Sequence, residues 1–262
     1  MPRDSYFVPA GPDRYLPTDH VGGAWSDEDL HVATVAGLLV HHMDRWRREH
    51  GDADKVFGRI SIDILGRLTR GDIELETRLI RPGRTIELLE TTATIAGRPT
   101  LAARAWLLAT EDTQQVAGGE WMPLPAPDAQ AVYPIAELWR GGYISSIRAL
   151  AVGPRRPGRA AAWLTTELDL VAGEETSELA RFVALVDTAN GIAVRQSPDE
   201  WLFPNLDLTL HFFRSPSGAW VGLDTTVTYG PAGLGLTSTV LHDLDGPVGT
   251  AQQILTVRSR AT

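Results

Sequence analysis

The chain contains no cysteine, which excludes disulfides, thiolate metal sites and a cysteine nucleophile. Lysine is almost absent too: Lys55 stands alone beside 23 arginines. Schiff-base chemistry is thereby close to excluded, as is a Walker-type phosphate loop, which requires Gly-Lys-Ser/Thr. Apolar runs fall well short of the ~18–20 residues that a membrane span needs. The N-terminal stretch MPRDSYFVPAGPDRY lacks the apolar segment of a secretory signal, so a cytoplasmic location is expected. Positive charge is in deficit: 24 Lys and Arg face 33 Asp and Glu, a formal net charge of −9, which argues against a nucleic-acid surface. No G-x-S-x-G elbow occurs, so a serine hydrolase would lack its nucleophile. The seven histidines, His20, His31, His41, His42, His50, His211 and His242, form no HxxxH or HExxH pair, and neither a metal nor another cofactor is implied.

What remains is a globular composition. Of 262 residues, 43% are hydrophobic and 22% charged, enough for one large domain or two of ~130 residues. Periodicity predicts two long helices. The first opens at Ser26 as N-cap, with Asp27, Glu28 and Asp29 in a first turn where the helix dipole favours negative charge. Val32, Val35, Leu39, Met43 and Trp46 recur at steps of three and four, Arg45, Arg47 and Arg48 fill the last turn, and Gly51 ends it. The second opens near Thr176 among Glu174, Glu175 and Glu178. It carries Leu179, Phe182, Val183, Val186 and Ala189 on one stripe and ends before Pro198.

Four strand-like segments follow each helix: 59–65, 72–80, 85–95 and 100–108, then 203–213, 219–229, 234–242 and 248–257. Ile60, Ile62 and Ile64 alternate with polar residues, as do Leu206, Leu208 and Leu210. Gly71 and Gly218 lie 147 residues apart, and Gly97-Arg98-Pro99 and Gly246-Pro247 lie 149 apart. A long helix followed by a strand meander, twice at nearly constant offset, is an internal duplication. An α+β arrangement is expected, with each helix wrapped by an antiparallel sheet. Residues 1–112 form the N-terminal repeat, 113–135 a linker rich in Pro, Gly and Ala, and 136–262 the C-terminal repeat. The glycines of GPAGLG (230–235) read as a hairpin between strands.

Three segments of the second half, RFVALVDTANG (181–191), FPNLDLTLHFFR (203–214) and GPVGTAQQILTVR (246–258), resemble in order the acyl-CoA thioesterase II family, whose members are double hotdog proteins. The first half resembles it more loosely, through GGAW (22–25) and the helix after it. The resemblance implies a double hotdog fold and hydrolysis of a fatty or related acyl-CoA thioester to free acid and CoA. In that family an Asp on the second hotdog helix, a Ser/Thr-type residue on the following strand and a Gln on the last strand hold a water for attack. The Asp maps to Asp187 and the Gln to Gln253, with Gln252 as the neighbouring alternative. The hydroxyl position holds Asn205, a departure from the pattern: an amide can hold a water but cannot replace a hydroxyl in every role. Asn190 and Gly191 of the same motif are candidate substrate contacts. The first-half counterparts are Arg59, Trp106 and His41-His42. One active half and one degenerate half that shapes the acyl pocket are therefore implied, with acyl-CoA as partner and a homodimer or higher homo-oligomer as the expected state.

The residue types suit that chemistry. A thioester carbonyl is already electrophilic, so hydrolysis needs a positioned water, a carboxylate to take its proton and donors for the oxyanion. At ~100° per residue Asp187 falls on the flank of its helix stripe and Asn190 near the centre, while Gln253 shares a strand face with Ala251, Leu255 and Val257. Polar groups in apolar surroundings are costly unless they pair, and one shared site would pair them. The competing reading is a solvated helix-edge Asp187 and a satisfied sheet Gln253. Arginine clusters at Arg45/Arg47/Arg48 and Arg155/Arg156/Arg159 are candidates for gripping CoA phosphates, or else solvated surface. Trp139, Trp163, Trp201 and Trp220 are expected in cores or a subunit interface, and His41-His42 on the helix surface. Two other functions stay open. A hotdog hydratase or dehydratase lacks its D-x-x-x-x-H motif, because Asp207 and His211 lie one residue too close; a non-catalytic acyl-thioester binder is left open by Asn205.

Overall fold

The computed structural model describes residues 4–26, 28–50 and 54–260. Its first half comprises β1 (Ser5–Gly11), β2 (Arg14–Pro17), α1 (Val32–His50), β3 (Lys55–Ile64), β4 (Ile73–Arg81), β5 (Ile86–Ile95) and β6 (Arg98–Ala109). The second begins with β7 (Ala131–Val132), α2 (Ile135–Leu138), α3 (Gly142–Ser146), β8 (Ile147–Ala151), β9 (Arg159–Thr166) and β10 (Asp169–Val171). It continues with α4 (Glu178–Val186), α5 (Ala189–Ile192), β11 (Trp201–Leu202), β12 (Asp207–Phe212), β13 (Val221–Tyr229), β14 (Leu234–Asp243), β15 (Gly246–Thr256) and β16 (Arg258–Ser259). Among the described residues no helix is long and apolar enough to cross a membrane.

Fourteen strands form one sheet in the order β10-β1-β2-β4-β5-β6-β3-β12-β15-β14-β13-β9-β8-β7. The two meanders meet at β3 and β12, where Ile60 pairs with Leu210 and Ile62 with Leu208. These are the alternating apolar residues of each strand and all four are fully buried, so the period-2 pattern sets the register of the seam. β9 and β10 stand near opposite ends of this order, yet two residues separate them in sequence, a reach of about 10 Å. The sheet must therefore curl until its ends approach, and the helices occupy the enclosed space.

α1 lies inside this wrap. Residues 33–44 are all buried, so the apolar stripe is only the most hydrophobic part of a helix enclosed all round. His41 and His42, expected on its surface, are buried as well. His41 Nε2 lies 2.7 Å from Glu174, and His42 bonds Thr77 at 2.7 Å and Asp13 at 3.0 Å. The β1–β2 hairpin and β4 cover that face, and the hairpin was absent from the sequence pattern.

Three element ends differ from expectation. α1 begins at Val32 and not at Ser26; Ser26 closes a turn onto the Glu28 amide, and Asp29 bridges to Thr69. Asp27 and Gly51 lie outside the described residues. His31 supplies the cap instead, its Nδ1 accepting from the Ala33 amide at 3.2 Å. α4 starts at Glu178 behind an N-capping Ser177 and stops at Val186, so Ala189 belongs to the separate turn α5. β12 starts at Asp207, but the irregular stretch before it stays tied to its neighbours: the Leu206 amide donates to Ile254, the Leu206 carbonyl accepts from Ile64, the Pro204 carbonyl accepts from Thr256, and Asn205 forms a single bridge with Leu255.

The two long helices cross where Gly37 of α1 meets Ala180 and Ala184 of α4. A Cβ at Gly37 would stand 2.5 Å from the Ala184 Cβ and 2.9 Å from the Ala180 carbonyl oxygen. In an exposed helix, Gly→Ala adds about 1 kcal/mol of stability. At this crossing Gly37→Ala is expected to reverse the sign and cost about 1–3 kcal/mol through overpacking, read as a lower midpoint in guanidinium denaturation. An unchanged or raised midpoint would mean that the crossing is loose. Moving from this contact toward the start of α1 and the end of α4 leads to His31 and Asp187.

Candidate active site

Asp187 is the C-cap of α4 and is 7% exposed. Its Oδ1 accepts from Asn205 Nδ2 and from Gln253 Nε2, both at 2.8 Å. Three elements meet here: the end of α4, the irregular segment before β12, and β15. Strand alternation turns Gln253 inward with Ala251 and Leu255, onto the carboxylate, and leaves Gln252 exposed. Asn205 reaches the carboxylate from the irregular stretch before β12, which the Pro204–Thr256 and Leu206–Ile254 hydrogen bonds hold against β15; its Nδ2 also donates to the Asp207 carbonyl at 3.0 Å. The three residues expected as a set are thus in direct contact.

Burial pushes the Asp187 carboxyl up to about 6, against the two amide donors, which pull it down. The negative end of the α4 dipole acts in the same upward direction as burial. With Oδ1 held by two donors, Oδ2 is the oxygen left to take a proton. Gln253 Oε1 is buried without a partner among the described residues. Exchanging its O and N would set that oxygen against Oδ1, so the amide orientation follows from the network.

His31 Nδ1 stands 3.8 Å from Asp187 Oδ2. Nδ1 already accepts from the Ala33 amide, so the ring proton sits on Nε2 and the contact is not an ion pair. Burial lowers the His31 pKa to about 3, which keeps the ring neutral. Tyr143 packs on it with ring centroids 4.1 Å apart, and the Tyr143 hydroxyl bonds Thr188 at 2.6 Å. Nothing among the described residues accepts from Nε2. The signal for His31 in the sequence is its place immediately before the apolar residues Val32 and Val35, at the helix start.

Two cavities flank the carboxylate. One, of about 40 Å³, lies between Asp187, His31, Trp25, Trp139, Asn190 and Gly191. The other, about 380 Å³, opens past Asp187, His31 and Asn205 toward residues 64–68 and Leu206. Trp25 packs edge-on against Trp139 at 4.8 Å and Phe203 at 5.1 Å, and Trp139 Nε1 donates to the Gly191 carbonyl at 2.9 Å. Trp139 is therefore a wall of the site, whereas Trp163 is buried and Trp201 and Trp220 are half-buried. Asn190 Nδ2 donates to the Phe203 carbonyl at 3.0 Å, and its buried Oδ1 has no partner among the described residues. Asp207 and His211 line neither cavity; Asp207 Oδ1 accepts from the Ile254 amide at 2.7 Å and His211 is exposed.

Solved structures identify the fold. A protein of unknown function with the hot dog fold from Alicyclobacillus acidocaldarius superposes with a TM-score of 0.74 at 10% identity, covering 97% of this chain and 96% of that one. Acyl-CoA thioesterase II from Mycobacterium marinum gives 0.65 at 13% identity, covering 97% and 96%. A tesB protein from Mycobacterium avium subsp. paratuberculosis gives 0.68 at 14%, covering 96% and 95%. The fold is a hotdog fold, built on a large antiparallel sheet. Sequence-family models narrow this further: the acyl-CoA thioesterase N-terminal domain matches residues 22–108 and the C-terminal domain residues 120–257. The chain belongs to the acyl-CoA thioesterase family and is a thioester hydrolase. No curated protein matches it.

Proposed function

We propose that this chain is a double hotdog acyl-CoA thioesterase that frees a fatty or related acyl group by direct attack of water, with Asp187 as base and Asn205 and Gln253 holding it. The observation that carries this reading is a desolvated carboxylate with one oxygen tied by two amides, at the junction of two cavities. A water between Asp187 Oδ2 and Gln253 Oε1 has both protons accepted, which leaves a lone pair for the carbonyl carbon. As the C–O bond forms, Asp187 takes a proton and the carbonyl oxygen becomes an oxyanion. His31 Nε2–H is one donor for it. The Val32 amide, first in α1 and without a partner inside the helix, borders the larger cavity and is a second. Collapse breaks the C–S bond, and the thiolate leaves with the proton that Asp187 returns. Asn205 suits a position that otherwise holds a hydroxyl because its task here is donation to Asp187.

In this reading residues 1–112 are the degenerate repeat, 113–135 the linker and 136–262 the catalytic repeat. The first half contributes Trp25, His31 and residues 64–68 to the walls, and Asn190 and Gly191 contact the acyl thioester. The test is thiol release from short, medium, long and aromatic acyl-CoAs, read with a thiol-reactive dye; the protein's lack of cysteine keeps the background low. Turnover of at least one class is expected, and folded protein that releases no thiol from any of them overturns the proposal. Asn205→Ala removes one of the two donors that favour the charged carboxylate, so the acidic limb of its kcat profile is expected to move to higher pH. At the alkaline plateau kcat should stay within about tenfold of wild type, because Gln253 still holds Oδ1. A limb that stays in place would separate Asn205 from the ionisation of Asp187.

A further inference from the structure

Behind the Trp139–Gly191 hydrogen bond lies a second concavity, an open groove of about 620 Å³. Arg140, Arg155, Arg156 and Arg195 line it together with only two acids, Glu137 and Asp199. In a chain of net charge −9 four arginines around one hollow are a local reversal of sign. All four are exposed, and none forms an ion pair among the described residues. Other arginines of the sequence clusters are engaged: Arg45 with Asp13, Arg47 and Arg48 with Asp44, and Arg159 with Asp224.

Two of these guanidinium groups are held in place without an ion pair. Arg155 lies over the Tyr133 ring at 5.6 Å, and the Tyr133 hydroxyl donates to the Ile192 carbonyl. Arg195 packs on Gly158, where a Cβ would come within 2.7 Å of Nη1. Gly158 has φ +76°, a conformation that also favours glycine. A guanidinium fixed by stacking or packing keeps its N–H fork available, the geometry that suits phosphate. The groove and the small cavity beside Asp187 share one wall. Trp139 and Gly191 face the cavity, while their chain neighbours Leu138, Arg140 and Ile192 face the groove.

We infer that this groove binds the phosphates of the CoA nucleotide, with the pantetheine arm passing the Trp139–Gly191 wall to deliver the thioester to Asp187. The inference rests on the acyl-CoA reading for its ligand. Its test uses adenosine 3′,5′-bisphosphate, which carries phosphates of the nucleotide and no thioester, as a calorimetric probe. Wild type should bind it, and Arg155→Ala/Arg195→Ala should weaken binding by about tenfold or more. The same variant should raise KM for acyl-CoA by at least that factor with kcat retained, and leave KM for the matching acyl-pantetheine, which has no phosphate, where it was. Arg140→Ala/Arg156→Ala, on separate segments, repeats the test independently of any folding defect in the first variant. Arginine-dependent bisphosphate binding by a protein that hydrolyses no thioester would support the groove and remove the catalytic proposal. Acyl-CoA turnover with a KM indifferent to all four arginines would overturn the groove and leave catalysis standing. An arginine-dependent KM confined to acyl carrier protein thioesters, without bisphosphate binding, would overturn the nucleotide assignment.

Discussion

Asp187→Asn is expected to lower kcat for acyl-CoA hydrolysis by about 10³-fold and to raise thermal stability above pH 6. Asparagine retains an oxygen that accepts from Asn205 and Gln253, so the local network survives while the base is lost. The stability gain follows from the carboxyl's displacement from 3.8 to about 6 by burial, worth on the order of 3 kcal/mol at 1.36 kcal/mol per unit. Between about pH 4 and 6 the folded protein holds a proton that the unfolded chain has released. Asp187 therefore makes stability fall as pH rises through that window and then level off. The variant escapes this penalty, so its melting temperature should exceed wild type at pH 8 and match it near pH 4. In wild type the same ionisation should appear as an acidic limb, with kcat rising through about pH 6 to a plateau. Thiol release and thermal melts on the same samples decide the matter. A variant that keeps kcat within tenfold removes Asp187 from the chemistry; one that loses both activity and stability makes it a structural residue.

The parts of this site that were legible in the sequence are those that depend on periodicity. Alternation along β15 puts Gln253 inside with Ala251 and Leu255, and the seam of β3 and β12 follows from Ile60, Ile62, Leu208 and Leu210. The break after Val186 was hidden because the apolar stripe runs on through Ala189, three residues later, as though the helix continued. That break sets Asp187 at a helix end, where the dipole and burial both oppose its charge. Ser26 followed by three acids reads as a helix start, but Asp29 is held by Arg67 and bridged to Thr69, so a tertiary contact overrides the local signal. The β1–β2 hairpin and strands β7–β10 carry little strand signal of their own in the sequence. They are short, several carry weak alternation, and β1 finds its parallel partner β10 more than 150 residues away. Asp13 in the β1–β2 turn and Glu174 just after β10 join Thr77 of β4 in covering His41 and His42, and no local pattern encodes such contacts.

His31→Asn is expected to lower kcat by about 10²–10³-fold without disturbing α1, because asparagine is itself a favoured N-cap and can accept from the Ala33 amide as the imidazole does. What it lacks is the reach of Nε2–H. General acid catalysis is the alternative role for this histidine, and the cap opposes it: Nδ1 is occupied in accepting from the Ala33 amide, and burial pushes the ring's pKa down to about 3, so it carries no second proton to give at neutrality. The effect on kcat should accordingly be flat from pH 6 to 9, with the acidic limb of Asp187 unmoved. Stability offers a separate readout of opposite sign to Asp187. The His31 pKa is depressed in the fold, so its contribution is present above about pH 6.5 and lost as pH falls toward 3. Wild type should therefore lose stability relative to His31→Asn on acidification through that range. If kcat falls only in proportion to a lowered melting temperature, His31 is a cap and nothing more. If kcat falls while α1 and the pH limb are intact, the neutral imidazole stabilises the oxyanion, and the first half of the chain supplies a catalytic group to a site whose base lies in the second.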